Sequence, residues 1–248
     1  MSKTIRLTSL LLFVLSFVVI FMTGGLAKLI PNASQQSNKK HAPIAPIRVM
    51  TVGSSVAEGW VDTEGGYLAR GFATLSAQTD HAYTVIRRAK AGDTSTKIAA
   101  QYSNWLKTVH PQVVALSWGG LDDANAKTPM AQYDKAIHNQ IALALSHHAV
   151  VIVVTPPVTR ASYTQYRVQE AAYLDREMAI ARSFHSPNVV VCDVFDQMKA
   201  YLVAHHQTYV PYMADGWHPN SRGHILGGQL LSQDLLAHYG QKAISFHG

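Results

Sequence analysis

One cysteine, Cys192, stands in 248 residues, so the chain can close no intramolecular disulfide and assemble no thiolate metal site. It lies in Val189-Val190-Val191-Cys192-Asp193-Val194, a buried-strand pattern in which it reads as a small core filler. Acidic residues are missing altogether before residue 48, where Lys3, Arg6, Lys28, Lys39 and Lys40 carry the charge. From Arg48 onward 16 basic and 15 acidic side chains nearly cancel, so the net charge of +6 belongs to the amino-terminal tail. The remainder lacks the clustered basic face that a nucleic-acid footprint needs. Internal repeats are also missing. Charged residues make up 15% against 48% hydrophobic, a balance that allows one substantial core in one domain.

What the amino terminus does have is a long apolar run. Leu7 to Met22 is interrupted only by small hydroxyl residues, follows Lys3 and Arg6, and continues through Thr23-Gly24-Gly25-Leu26-Ala27 to Lys28. That is about the length that spans a bilayer. Residues 1–28 therefore read as a signal anchor with a cytoplasmic basic end, or as a signal peptide cut near Gly25-Leu26-Ala27; the length of the run favours the anchor. Either reading puts the domain on the extracytoplasmic side, as a membrane-held or a secreted protein. Residues 29–46, rich in Pro, Asn, Gln, Ser and Lys, read as an extended linker.

From residue 47 to 248 short β-branched blocks alternate with segments of helical period. Strands are predicted over 47–52, 83–88, 112–117, 150–155 and 189–194, and helices over 66–78, 95–109, 130–148, 164–183 and 221–239. Runs such as Val150-Val151-Ile152-Val153-Val154 are apolar on both faces, which fits strands covered on both sides. The fold class is α/β: a three-layer sandwich around a central, mostly parallel five-stranded sheet. Ligands in such sheets bind beyond the carboxyl ends of the strands. Ser55, Gly92 and Gly119-Gly120-Leu121-Asp122-Asp123 each follow a predicted strand and should converge there.

Two segments carry chemistry. Val52-Gly53-Ser54-Ser55-Val56 offers a hydroxyl at the end of the first strand, and Asp215-Gly216-Trp217-His218-Pro219-Asn220 offers an imidazole with a carboxylate three residues before it. A serine hydroxyl becomes a useful nucleophile when an imidazole takes its proton, and the carboxylate fixes the ring's tautomer and stabilises its charged form. Trp60, Trp118 and Trp217 flank these blocks; Trp60 and Trp217 are candidates for substrate binding, while Trp118 is equally well explained as core. His224, six residues past His218, is not read as a metal ligand, and the pairs His147-His148 and His205-His206 read as helix ends.

The order of these blocks resembles the SGNH, or GDSL-type, hydrolase family of esterases, lipases and acyl-group hydrolases, over roughly residues 47 to 239. The resemblance implies a flavodoxin-like fold, Ser55 as nucleophile, His218 as general base and Asp215 as its partner. It also implies an oxyanion hole built from the Ser55 and Gly92 N–H groups and a side chain at position 122. Two positions depart from the family pattern: Ser54 replaces an Asp beside the nucleophile, and Asp122 replaces an Asn. The second matters, because an ionised carboxylate offers only acceptors where a donor is expected. Three arrangements answer it: Asp122 stays protonated, the two backbone donors suffice, or another donor takes over.

The resulting expectation is a serine esterase acting on an acyl ester of a lipid or an O-acylated glycan, with no metal and no organic cofactor. Its rivals are an acyltransferase to cell-wall or exopolysaccharide sugars, and a noncatalytic glycan-binding or scaffold domain with a degraded oxyanion hole.

Overall fold

A computed structural model of the chain describes residues 45–248. The predicted anchor or signal segment, and all but the last two residues of the predicted linker, lie outside the described residues. Among the described residues no helix is long and apolar enough to cross a membrane.

Among the described residues five strands, joined and covered by eight α-helices, form where β-branched residues run in short blocks: β1 (Ile47–Gly53), β2 (Tyr83–Arg87), β3 (Val113–Ser117), β4 (Val150–Val154) and β5 (Val189–Cys192). All four pairings are parallel and the order is β2-β1-β3-β4-β5, the flavodoxin-like winding. The helices are α1 (Ser55–Glu58), α2 (Gly66–Gln78), α3 (Ala99–Val109), α4 (Leu121–Asn125), α5 (Met130–Ser146), α6 (Arg167–Ser183), α7 (Val194–Ala204) and α8 (Ser221–Tyr239).

The apolar runs divide by strand alternation. Val49, Val113, Ala115, Val150, Ile152 and Val154 point into one core, with Phe72 and Leu75 of α2 and Leu231 and Leu235 of α8. Met50, Val52, Val114, Leu116, Val151 and Val153 point into the other, with Leu106 of α3, Ile137 and Ile141 of α5 and Tyr173 of α6. β3 and β4 are buried along their whole length, which is why they carry no polar alternation. Cys192 is buried in the first core. The α2–α8 pair needs glycine at its crossing: a Cβ on Gly228 would lie 2.8 Å from Arg70 Cβ and 3.1 Å from the Gly71 nitrogen.

Some element boundaries differ from the sequence reading for identifiable reasons. The helix predicted over 95–109 starts at Ala99, because the Ser95 N–H and hydroxyl are both held by the Asp123 carboxylate, at 3.0 Å each. The helix predicted over 164–183 starts at Arg167, after a single 3-10 turn at Ala161–Tyr163. Three helices, α1, α4 and α7, were not predicted. The first two span only 4 and 5 residues, too short to show a period, but α7 carried a readable start, since Asp193 caps it by accepting from the Asp196 N–H at 3.2 Å. The paired histidines do close helices: His147 follows α5 and His205 follows α7. The second of each pair, His148 and His206, turns the chain away at φ 56° and 52°.

Two carboxyls on α6, Glu170 and Glu177, are fully buried. Neither Glu170 oxygen has a hydrogen-bond partner, and Glu177 receives the Tyr133 hydroxyl at 3.3 Å on one oxygen only. Burial pushes both up to about 8. A raised folded pKa means that the native state holds protons which the unfolded chain has already released, so stability is full below about 4.5 and declines as pH rises towards 8. Glu177→Gln should therefore flatten the loss of stability between pH 5 and pH 8, measured as the urea midpoint at each pH. An unchanged slope would show that Glu177 does not titrate in this window.

Candidate active site

β1 and β3 are neighbours whose connections leave in opposite directions along the sheet, and the groove between their carboxyl ends is the crevice where such folds bind ligands. Ser55 is the first residue of α1, directly beyond β1, and is 7% exposed. Its position puts both its N–H and its hydroxyl at the sheet edge. From the other end of the chain, the loop before α8 returns to the same edge, held by a bridge between Met213 and Pro219.

Within that loop Asp215 does two jobs. Oδ1 accepts the backbone N–H groups of Trp217 at 2.7 Å and His218 at 2.8 Å, folding the turn, while both carboxylate oxygens lie 2.9 to 3.0 Å from His218 Nδ1. Partial burial works to raise this carboxyl, but the hydrogen bonds from the Trp217 N–H, the His218 ring and the His218 N–H together hold it below its ordinary value. An ionised Asp215 makes Nδ1 the protonated nitrogen, which leaves Nε2 as the acceptor. Nε2 is 3.0 Å from Ser55 Oγ. The hydroxyl, the imidazole and the carboxylate thus form one line of hydrogen bonds across 163 residues of sequence.

Gly92 lies on the loop after β2 at φ 75°, a left-handed conformation that favours glycine. Its loop is tied from several sides. Glu58 accepts the Ala91 N–H at 2.7 Å, Lys97 Nζ donates to the Gly92 carbonyl at 2.7 Å, and Ser95 is clamped by Asp123. The clamp extends further, because Gln140 donates to the Ser95 carbonyl and receives the Trp118 indole N–H, at 2.8 Å each. Among the described residues, the N–H groups of Ser55 and Gly92 have no protein acceptor. Glu58, Ser95, Asp123 and Gln140 were not singled out from the sequence. The adjacency of Asp123 to Asp122 was the only signal, and it does not say which of the two turns inward.

A small pocket of about 10 Å³ adjoins Ser55, lined among others by Trp118, Asp122, Pro156 and Trp217. Gly92 instead lines a cavity of about 480 Å³ beside it, and Asp122 borders both. Burial raises the Asp122 carboxyl above its ordinary value, against the opposing effects of the Ser54 hydroxyl and the charges of His218 and Lys97. Asp123, fully buried, is raised by the same cause despite its hydrogen bonds to Ser95. Trp217 packs edge-on against Tyr166, with ring centroids 5.1 Å apart. Trp60 is 48% exposed and its ring centre is 5.9 Å from that of His218. Trp118 is buried.

His224 is buried and pinned. Its Nδ1 receives the Tyr67 N–H at 3.1 Å and its Nε2 faces the Trp60 carbonyl at 3.3 Å, so it ties α8 to α2 and to the Trp60 loop. Burial lowers its pKa, keeping it neutral. No cluster of three or more His, Cys, Asp or Glu able to hold a metal occurs among the described residues.

The winding of the sheet is that of a flavodoxin-like α/β fold, with a serine, a histidine and an aspartate in line at its switch point. More narrowly, residues 51–226 match the GDSL-like lipase/acylhydrolase family, and the chain belongs to it, which makes it a hydrolase of ester substrates by family. Solved structures agree on the fold. A variant of Axe2, an acetyl xylan esterase from Geobacillus stearothermophilus, is 16% identical and superposes with a TM-score of 0.62, covering 82% of this chain and 99% of that one. LAE5, an alpha/beta hydrolase enzyme from the metagenome of Lake Arreo, is 20% identical with a TM-score of 0.60, covering 79% and 96%. The psychrotrophic esterase EstA from Pseudoalteromonas sp. is 14% identical with a TM-score of 0.57, covering 77% and 97%. No curated protein matches the sequence.

The clamp around Ser95 yields a direct expectation. Asp123→Ala strips the Ser95 N–H and hydroxyl of their buried acceptor and should cost about 2–3 kcal/mol of stability, read from urea unfolding. A loss below about 0.5 kcal/mol would mean that the loop carrying Gly92 is held without it.

Proposed function

We propose that the protein is a serine esterase in which Ser55 attacks the carbonyl of an acyl ester, His218 moves the proton and Asp215 holds the ring. The single observation that carries this reading is the 3.0 Å contact between His218 Nε2 and Ser55 Oγ, with the Asp215 carboxylate behind the ring. Family membership and the esterase named among the similar folds support it.

The proposed reaction runs in two halves. As the Ser55 Oγ–carbonyl bond forms, the hydroxyl proton passes to His218 Nε2, and the resulting imidazolium is stabilised by Asp215. The carbonyl oxygen becomes an oxyanion facing the N–H groups of Ser55 and Gly92. Collapse of the tetrahedral species breaks the ester C–O bond, and His218 returns its proton to the departing alcohol oxygen. Water then attacks the acyl-serine, its proton goes to His218 and on to Ser55 Oγ, and the carboxylic acid leaves.

Asp122 enters as a third donor when it is protonated. Burial shifts its carboxyl upward from the ordinary value, and the neutral acid, where it forms, can donate one O–H where the family pattern has an amide. Ser54 belongs to the same exchange: the carboxyl that the family carries beside the nucleophile stands here on the neighbouring strand's loop, and a hydroxyl faces it. The apolar run at residues 7–22, with its basic flank, supports an extracytoplasmic esterase held at, or released from, a membrane.

Two measurements test the chemistry. A fluorophosphonate probe should label the wild-type chain at Ser55, and both Ser55→Ala and His218→Ala should lower labelling and nitrophenyl acetate hydrolysis by about 10³-fold or more. Equal labelling of wild type and His218→Ala would end the reading. The oxyanion role has a pH signature. Neutral Asp122 donates below its folded pKa and repels the oxyanion above it, so kcat should fall as pH rises through that value. Asp122→Asn should remove the fall and raise kcat at pH 8 by about tenfold or more. A decrease at every pH would show that the carboxylate acts in some other way.

A further inference from the structure

The two cavities that meet at Asp122 differ in size and chemistry in a way that sorts the two halves of an ester. We infer that the small pocket admits an acetyl group and no longer acyl chain, and that the large polar cavity receives a polyhydroxylated alcohol, so the substrate class is an O-acetylated glycan. This inference rests on the esterase reading above and narrows it.

The acyl side follows from volume and stiffness. A space of about 10 Å³ beside Ser55 holds roughly one water-sized sphere, which a methyl group can occupy. Its walls are fixed. Trp118 is 2% exposed and its indole N–H is bound to Gln140, which is itself bound to the Ser95 carbonyl. Pro156 packs against Gly119 so closely that a Cβ there would lie 3.0 Å from the Pro156 Cγ. Val56 and Leu121 close the pocket from buried positions in α1 and α4. A longer acyl chain has to displace packed side chains rather than fill an empty channel.

The alcohol side follows from the lining of the second cavity. At about 480 Å³ it falls within the range of small-molecule sites, and its walls include Thr94, Thr96, Lys97, Asn125, Lys127 and Gln132. Ala126 and Pro129 also line it, but hydroxyl, amide and ammonium groups predominate, and these pair with sugar hydroxyls. The two cavities share Asp122 as a wall, and a chain of side chains runs from one to the other: Trp217 borders the small pocket, packs on Tyr166, and the Tyr166 hydroxyl donates to Oδ1 of Asn125, which lines the large cavity, at 2.9 Å. Beside the His218 ring, with centroids 5.9 Å apart, the exposed Trp60 presents an aromatic face on which a pyranose can stack. In the reaction the acetyl carbon passes from the sugar oxygen to Ser55 Oγ, His218 delivers its proton to that sugar oxygen, and water then releases acetic acid and restores the serine.

The test uses the full chain with nitrophenyl acetate, propionate, butyrate and octanoate, and separately with a partially O-acetylated disaccharide against ethyl acetate. One methylene beyond the fit of a tight pocket is worth about 10–200-fold, so kcat/KM should drop at least tenfold from acetate to butyrate. Acetate release from the disaccharide should exceed that from ethyl acetate by at least tenfold in kcat/KM. Val56→Ala, which opens the small pocket, should raise the butyrate-to-acetate ratio about tenfold. Lys127→Ala should lower the disaccharide-to-nitrophenyl-acetate ratio about tenfold, mainly through KM. Fluorophosphonate labelling of Ser55 together with equal rates on acetate and butyrate, or equal rates on disaccharide and ethyl acetate, would overturn the inference while leaving the esterase standing. Absence of both labelling and hydrolysis would remove the esterase and the inference with it.

Discussion

The contact between His218 Nε2 and Ser55 Oγ depends on nearly every other feature of the molecule, because its partners come from opposite ends of the domain. Ser55 is placed by β1 and His218 by the loop that enters α8, and α8 is seated by its close crossing with α2. A shift of about 1 Å at that crossing would be felt at the imidazole, and proton transfer needs heavy atoms within about 3 Å. His224 adds a second tie, joining α8 to the Tyr67 N–H and the Trp60 carbonyl just behind the site. Packing between two helices therefore does part of the work of alignment.

The electrostatics are arranged around a small number of carboxyls in contrasting surroundings. Asp215, half-exposed and surrounded by N–H donors, is held below its ordinary pKa beside the His218 ring. Asp122 and Asp123 sit one residue apart and are both raised by burial, yet they face different partners. Asp123 turns inward to clamp the Gly92 loop through Ser95, while Asp122 borders the pocket next to Ser55. The contrast in pKa is between Asp215, lowered by its N–H donors, and the Asp122–Asp123 pair, raised by burial.

The position of the site reflects topology more than local sequence. Parallel strands wound outward from β1 and β3 leave a crevice at their carboxyl ends, and the loops after β1, β2 and β3 all open into it. The clamp from Asp123 through Ser95 and Gln140 to Trp118 ties the loop that presents Gly92 to the wall of the small pocket. Such coupling explains how a loop-built site keeps its geometry in the absence of disulfides, which a single cysteine forbids.

Much of this architecture was legible in the residues. Apolar runs without polar alternation announced strands covered on both faces, and the strand–helix rhythm announced a parallel sheet, because burial on two sides leaves a direct trace in composition. The Asp215–His218 pair was also legible, since three residues of spacing within one turn are enough to bring them together. Which of Asp122 and Asp123 faces the pocket, that Gln140 braces Trp118, and that Glu170 and Glu177 lie buried on a helix with little polar company could not be read. Each depends on the rotation of a helix against distant neighbours, and one sequence carries no record of that rotation. The chain by itself determined the strands, their burial and the chemical groups available; only the tertiary structure decided which groups meet, because contact across 163 residues is set by how helices cross and loops close rather than by any local preference.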